Sequence, residues 1–177
     1  MTPKAMPAIT HVAVTVTDLE ASEAWYTKVL GAEPVLDEDT GPFRHIVYAV
    51  GGTLLGLHGF PDLATKDPFD ERRPGLDHIA FGCASRGELV EWAKHLDELG
   101  IEHGPIKDAG YGSGLSFRDP DNIALELFFT PPPGSQAAAR CQSQRRRALD
   151  CGSIAQGLAT RRALREVLRS ALSLRAH

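Results

Sequence analysis

Four polar side chains stand in stretches that otherwise read as buried β-strands. They are His11 in AITHVAVTV, His58 in TLLGLHGF, His78 in GLDHIAFG and Glu126 in NIALELFF. Neutral imidazoles and a carboxylate are the donors that hold Zn, Ni, Co, Mn or Fe. A carboxylate between leucines is costly to bury unless it finds a cation, a proton or hydrogen-bond donors. A divalent metal would be such a partner. One strand histidine alone reads as an ordinary hydrogen-bonded or surface residue. Four polar groups in related positions ask for a common cause. His45, His95 and His103 have no matching partners and read as ordinary histidines.

The positions are related because the chain repeats. His11 and His78 are 67 residues apart, and so are Trp25 and Trp92. ITHVAV matches LDHIAF, and each is followed by a helix, DLEASEAWYTKVLG in the first half and RGELVEWAKHLDELG in the second. Asp18 is an N-cap candidate, and Ser85 with Glu88 a capping box. Leu30-Gly31 and Leu99-Gly100 are matching stops. Further strands follow, FRHIVYAV and TLLGLHGF, then GSGLSFRD and NIALELFF. Each half therefore reads as β-α-β-β-β, with its last three strands antiparallel.

Strand side chains alternate between faces. His11 shares a face with Ile9, Ala13 and Thr15; His58 with Gly56; His78 with Leu76, Ala80 and Gly82; Glu126 with Ala124. The other faces carry Val12 and Val14, Leu55 and Leu57, Ile79 and Phe81, Leu125 and Leu127, and are expected to pack under the helices. Small residues beside convergent polar groups describe a pocket rather than a core. The fold class that follows is α+β, two βαβββ modules forming a curved mixed-sheet cleft.

Composition narrows the function. With 42% hydrophobic and 24% charged residues the chain is globular. No apolar run reaches the roughly 20 residues of a bilayer span. The start, MTPKAMPAIT, lacks the apolar region of a secretory signal. Three cysteines (Cys83, Cys141 and Cys151) lack metal-type spacing, which suits a reducing cytoplasm. Residues 1–136 hold 10 Lys+Arg against 21 Asp+Glu, and residues 137–177 hold 9 Arg against 2 acids. An acidic body does not suit nucleic acid. TPPPGS at 130–135 marks the end of the body. The expected organisation is a domain at 1–130, with modules at about 8–60 and 75–130, and a linker with an Arg-rich extension at 131–177. Ile154, Leu158, Leu164, Val167, Leu168, Ala171 and Leu172 fall at helical spacing there, so the extension is expected to be a loosely docked helix or disordered.

THVAVTVTDLEAS, WYTKVLG, LDHIAFG and FRDPDNIALELFF together resemble the vicinal oxygen chelate superfamily over about residues 8–130. That group includes glyoxalase I, methylmalonyl-CoA epimerase, extradiol dioxygenases, fosfomycin-resistance enzymes and bleomycin-resistance binders. The resemblance implies metal ligands in the first, fourth, fifth and eighth strands, here His11, His58, His78 and Glu126. The fourth-strand residue is usually Glu or Gln; His58 departs from that. The resemblance also implies a homodimer and a small substrate chelated through adjacent oxygens. Its lyases and isomerases move a proton through a carboxylate or similar base, a role open to Glu126 or His58. Its dioxygenases use two histidines and a carboxylate on iron, which His11, His78 and Glu126 match. The ring-cleaving pattern also has a tyrosine where this chain has Ser116, and an upstream histidine absent from KDAGYGSG. A metal-free binder is the third class. GYGSG (110–114) lacks the ending of a phosphate loop and is expected to be a turn or pocket lid. Arg72 and Arg73 are read as part of a solvated linker.

Overall fold

The computed structural model describes residues 5–63 and 67–132. The element order is β1 (His11–Val16), α1 (Leu19–Leu30), β2 (Leu36–Asp39), β3 (Arg44–Val50), β4 (Thr53–Gly59), β5 (Ile79–Cys83), α2 (Arg86–Glu98), β6 (Lys107–Ala109), β7 (Gly112–Arg118) and β8 (Ala124–Phe129). The strands form two four-stranded sheets, ordered β1-β4-β3-β2 and β5-β8-β7-β6. In each the first strand pairs parallel to the fourth and the rest are antiparallel. The two βαβββ modules share one topology and lie in one compact unit, Met1–Thr130. The Arg-rich extension, with its expected helix and Cys141 and Cys151, lies outside the described residues.

The caps form where the sequence places them. The Ala21 N–H donates to Asp18 Oδ1 at 3.0 Å, and Gly31 closes α1 in the left-handed region at φ 59°. The Glu88 N–H donates to Ser85 Oγ at 3.1 Å, and the Ala84 N–H to Glu88 Oε2 at 2.6 Å. Each satisfies donors that a helix start leaves orphaned.

One face of every central strand enters a single core shared by both modules. Val14, Val16, Leu55, Leu57, Leu115, Phe117, Leu125 and Leu127 are buried there with Leu19, Tyr26 and Val29 of α1 and Leu89 and Leu96 of α2. The modules are also joined by polar bonds. The Tyr26 hydroxyl donates to Asp119 Oδ2 at 3.0 Å, the Thr17 N–H and hydroxyl donate to Asp121, and His95 Nε2 lies 3.3 Å from the Val29 carbonyl. His95 is therefore a half-buried inter-module contact. Asp119 and Asp121 sit in the turn before β8, where Asn122 takes a positive φ of 66°.

Two local expectations change. Pairing in the fifth strand starts at Ile79, so His78 stands just ahead of the strand rather than inside it. Of GYGSG only Gly110 and Tyr111 make the turn; Gly112–Gly114 begin β7, as the strand segment GSGLSFRD predicts.

Candidate metal centre

The faces turned away from the core carry the candidate ligands. On the first sheet, register places His11 beside Leu54, Ala13 beside Gly56, and Thr15 beside His58. On the second it places Ala80 beside Glu126, with Ser116 on the other flank. Exposed apolar residues accompany them: Leu36 and Leu54 by register on the first face, Ile9 just ahead of β1 and Leu76 just ahead of β5.

His78 and Glu126 meet. His78 Nε2 lies 3.5 Å from Glu126 Oε2, with the two side chains 46% and 24% exposed. That separation is long for a hydrogen bond. It suits two donors on one cation, since ligands about 2.1 Å from a tetrahedral metal lie about 3.4 Å apart. The other ring nitrogen, Nδ1, pairs with Asp77 Oδ1 at 2.5 Å. A carboxylate there orients the imidazole and leaves Nε2 as the free donor. Sequence reading passes over Asp77, although its place beside His78 is the available signal.

Glu126 is laid down by a missing side chain. A Cβ at Gly114 would collide with Glu126 Oε1 and come within 3.1 Å of its carboxyl carbon. The carboxylate thus lies back over β7 in space that any other residue would take. On β4 the register position equivalent to Glu126 is Gly56, beside Ala13 as Glu126 is beside Ala80, and a Cβ there would meet the His58 ring at 3.5 Å and Ala13 at 3.4 Å.

His58 is fixed by aromatic neighbours. Phe43 stacks on it at 4.7 Å and 15°, Phe60 lies 6.4 Å away, and the His45 ring meets it edge-on at 5.3 Å. Burial, then the nearby His45 and His11, push the His58 pKa below its ordinary value. A neutral imidazole is the form that ligates a metal. His45 itself is directly across from His58, with Nε2 at 3.2 Å from Glu38 Oε2. It belongs to this face, and treating it as an unrelated histidine misses the cross-strand register. His11 keeps Nδ1 against Thr10 Oγ1 at 3.2 Å.

Among the described residues no three His, Cys, Asp or Glu side chains converge closely enough to hold a metal ion. The structure brings His78 and Glu126 together, whereas His11 and His58 share a face but lie four residues apart in register, about 13 Å along the strands, since His11 pairs with Leu54 and His58 with Thr15. A cavity of about 530 Å³ is lined by core-side residues such as Val12, Leu55, Phe81 and Leu125 and reaches Leu54 and Ala80, the register partners of His11 and Glu126, while none of the four candidates lines it. Its carboxylate, Glu88, is engaged in capping α2. Arg72 pairs with Asp70 at 2.9 Å in the linker, as a solvated segment would.

Residues 8–127 match the sequence profile of the Glyoxalase/Bleomycin resistance protein/Dioxygenase superfamily. The chain belongs to that superfamily. A crystal structure of a glyoxylase/bleomycin resistance protein/dioxygenase domain from Frankia sp. EAN1pec is 33% identical, with a TM-score of 0.66, and the alignment covers 72% of this chain and all of that one. The "Uncharacterized protein YwkD" of Bacillus subtilis (strain 168) is 33% identical over 70% of this chain and 97% of its own length. Biphenyl-2,3-diol 1,2-dioxygenase 3 of Rhodococcus globerulus is 31% identical over 71% of this chain and 66% of its own. The superfamily therefore accounts for the paired βαβββ modules, while its members span several activities. Among the described residues no helix is long and apolar enough to cross a membrane.

Proposed function

We propose that the protein is a metal-dependent lyase or isomerase acting on a small substrate that chelates through two adjacent oxygens. His11, His58, His78 and Glu126 are the ligand set. The carrying observation is the His78–Glu126 pair, held 3.5 Å apart on an open face with Asp77 behind the imidazole. The donor set suits a divalent ion such as Zn, Ni, Co, Mn or Fe. When bound, such an ion supplies Lewis-acid stabilisation of negative charge on the substrate oxygens. The chain's own part is proton handling. Glu126, laid over Gly114, is placed to accept a proton beside the substrate oxygens and return it. His58, neutral and stacked on Phe43, is held as a donor or proton carrier of fixed orientation.

The site is completed by a second copy of the chain. One module's His11 and His58 face the other copy's His78 and Glu126, and the exposed Ile9, Leu36, Leu54 and Leu76 are covered in the same contact. β1 and β5 are both sheet edges with one unpaired side, which is where strands of two copies can join. The reading is a homodimer with two sites.

The test uses metal content measured by mass spectrometry on untagged protein. Wild type is expected to hold about one metal per chain, and His78→Ala and Glu126→Ala are expected to hold none. Mixing His11→Ala with Glu126→Ala chains after subunit exchange distinguishes the assembly. Mixed dimers regain one intact site of two, so metal returns to about a quarter of the wild-type level under random pairing. No recovery would place all four ligands within one chain. No metal in the wild type, and none taken up on addition, would leave a binding protein.

A second reading has its own support. His11, His78 and Glu126 also make the two-histidine, one-carboxylate set of an iron dioxygenase, and a biphenyl-diol dioxygenase is among the relatives. Iron in the purified protein would favour it. Ser116 across from Glu126 weighs against ring cleavage by the usual tyrosine-assisted route.

A further inference from the structure

We propose that Phe128 and Tyr111 form a flat aromatic floor beside Glu126, and that the substrate is an aryl compound whose ring stacks there while its adjacent oxygens reach the metal. This rests on the reading of His78 and Glu126 as ligands. The register puts Phe128 between Gly114 and Gly82, one step along β8 from Glu126 on the same face. Its ring lies down on the sheet. A Cβ at Gly112 would collide with Cζ and come within 2.6 Å of Cε1, and one at Gly114 within 3.3 Å of Cδ2. The ring therefore spans both glycines, and a side chain at Gly112 would lift it.

Tyr111 extends the surface. It follows Gly110 in the β6–β7 turn, and its ring centre lies 6.0 Å from that of Phe128 at 23° between planes. At that spacing the rings are offset neighbours of similar tilt, not a closed sandwich. Tyr111 is 67% exposed, an unusual state for a large ring that already has a partner. Above the floor there is room, because a Cβ at Gly82 would meet nothing within 4 Å. Ala80 and Ser116 keep the flanks of Glu126 low. A planar ring gains offset stacking on such a surface, whereas a puckered saturated ring touches it only at its edges.

The probes are benzohydroxamate and cyclohexanecarbohydroxamate, which present the same two adjacent oxygens and differ in the flatness of the ring. Each is titrated by calorimetry into the zinc-loaded full-length protein, with zinc measured in the same samples. The readout is the ratio of the two affinities. The benzo compound is expected to bind about two- to tenfold more tightly to wild type, the range that aromatic stacking supplies. Tyr111→Ala should bring the ratio close to one and Tyr111→Phe should preserve it. A ratio near one in wild type, or a preference untouched by Tyr111→Ala, overturns the floor and leaves the metal site standing. Failure to take up zinc overturns both, and the metal content identifies that outcome before any titration.

Discussion

Replacing Asp119 with Asn should stabilise the protein at neutral pH, although it removes a charge that three donors surround. Asp119 is 6% exposed and accepts from the Ile123 N–H at 2.7 Å, the Asp121 N–H at 3.0 Å and the Tyr26 hydroxyl at 3.0 Å. Burial is the largest influence and pushes its pKa up from 3.8 to about 6, with the Asp121 carboxylate adding to it and the three hydrogen bonds opposing it. A folded value above the unfolded one means the fold favours the neutral acid. That contribution is full below pH 3.8 and is lost as pH rises through about 6. A rise of that size corresponds to about 3 kcal/mol. Asn keeps an acceptor for the two N–H groups and turns an NH₂ toward the Tyr26 oxygen, without the charge. Urea unfolding at pH 4.5, 6 and 7.5 measures the effect. The gain of Asp119→Asn over wild type should grow with pH and approach about 2–3 kcal/mol at pH 7.5. Glu71 and Asp108, both held near 2 by arginines, behave oppositely and lose their contribution as pH falls. They are unchanged in the variant and cancel in the difference. A variant destabilised equally at all three pH values would refute the reasoning, because it would mean that the donors outweigh burial and the carboxylate is ionised throughout.

Gly114→Ala should leave stability within about 1 kcal/mol, since the colliding atom is the mobile end of Glu126, yet cut metal affinity about 10- to 100-fold by displacing a ligand; thermal unfolding of the metal-free protein and a chelator competition separate the two. Gly112→Ala should instead cost about 1–3 kcal/mol, because its Cβ would press on the Phe129 carbonyl at 2.5 Å as well as the Phe128 ring; an unchanged melting temperature would contradict the packing described. Thr17→Val keeps the backbone bond to Asp121 but removes the hydroxyl that donates to its Oδ1, and since Asp121 is only 9% exposed the loss should cost about 1–3 kcal/mol in urea unfolding.

The modules are legible in the sequence because period-two alternation and cap chemistry are local. Val12, Val14 and Val16 of β1, Leu55 and Leu57 of β4, and Leu125 and Leu127 of β8 can be assigned to one face without knowing what packs on it, and Asp18 and Ser85 need only the residues three ahead. His78 and Glu126 are legible for the same reason, each lying beside small residues in a strand pattern. What stays hidden depends on pairing across strands. His45 faces His58 only once β3 and β4 are in register, and nothing in FRHIVYAV by itself announces it. Why β7 opens with Gly112 and Gly114 shows only once Phe128 and Glu126 are seen lying on them. Asp119 and Asp121 read as turn residues, yet they bind Tyr26 and Thr17 from about a hundred residues away.

The division of the ligands follows from how the duplicated modules pack. Each module has one apolar face and one face carrying small and polar residues. Within the chain the apolar faces and both helices share one core, tied by Tyr26–Asp119 and Thr17–Asp121. Packing the backs together leaves each front with two of the four proposed ligands, His11 and His58 on one and His78 and Glu126 on the other. Two donors bind a divalent ion weakly, since structural and catalytic sites draw on three or four protein ligands. Under the proposed ligand set, the apolar burial that holds the monomer together is also what assigns completion of the site to a second copy. That is why subunit exchange between His11→Ala and Glu126→Ala chains tests the packing of the modules and the chemistry of the ligands in one measurement.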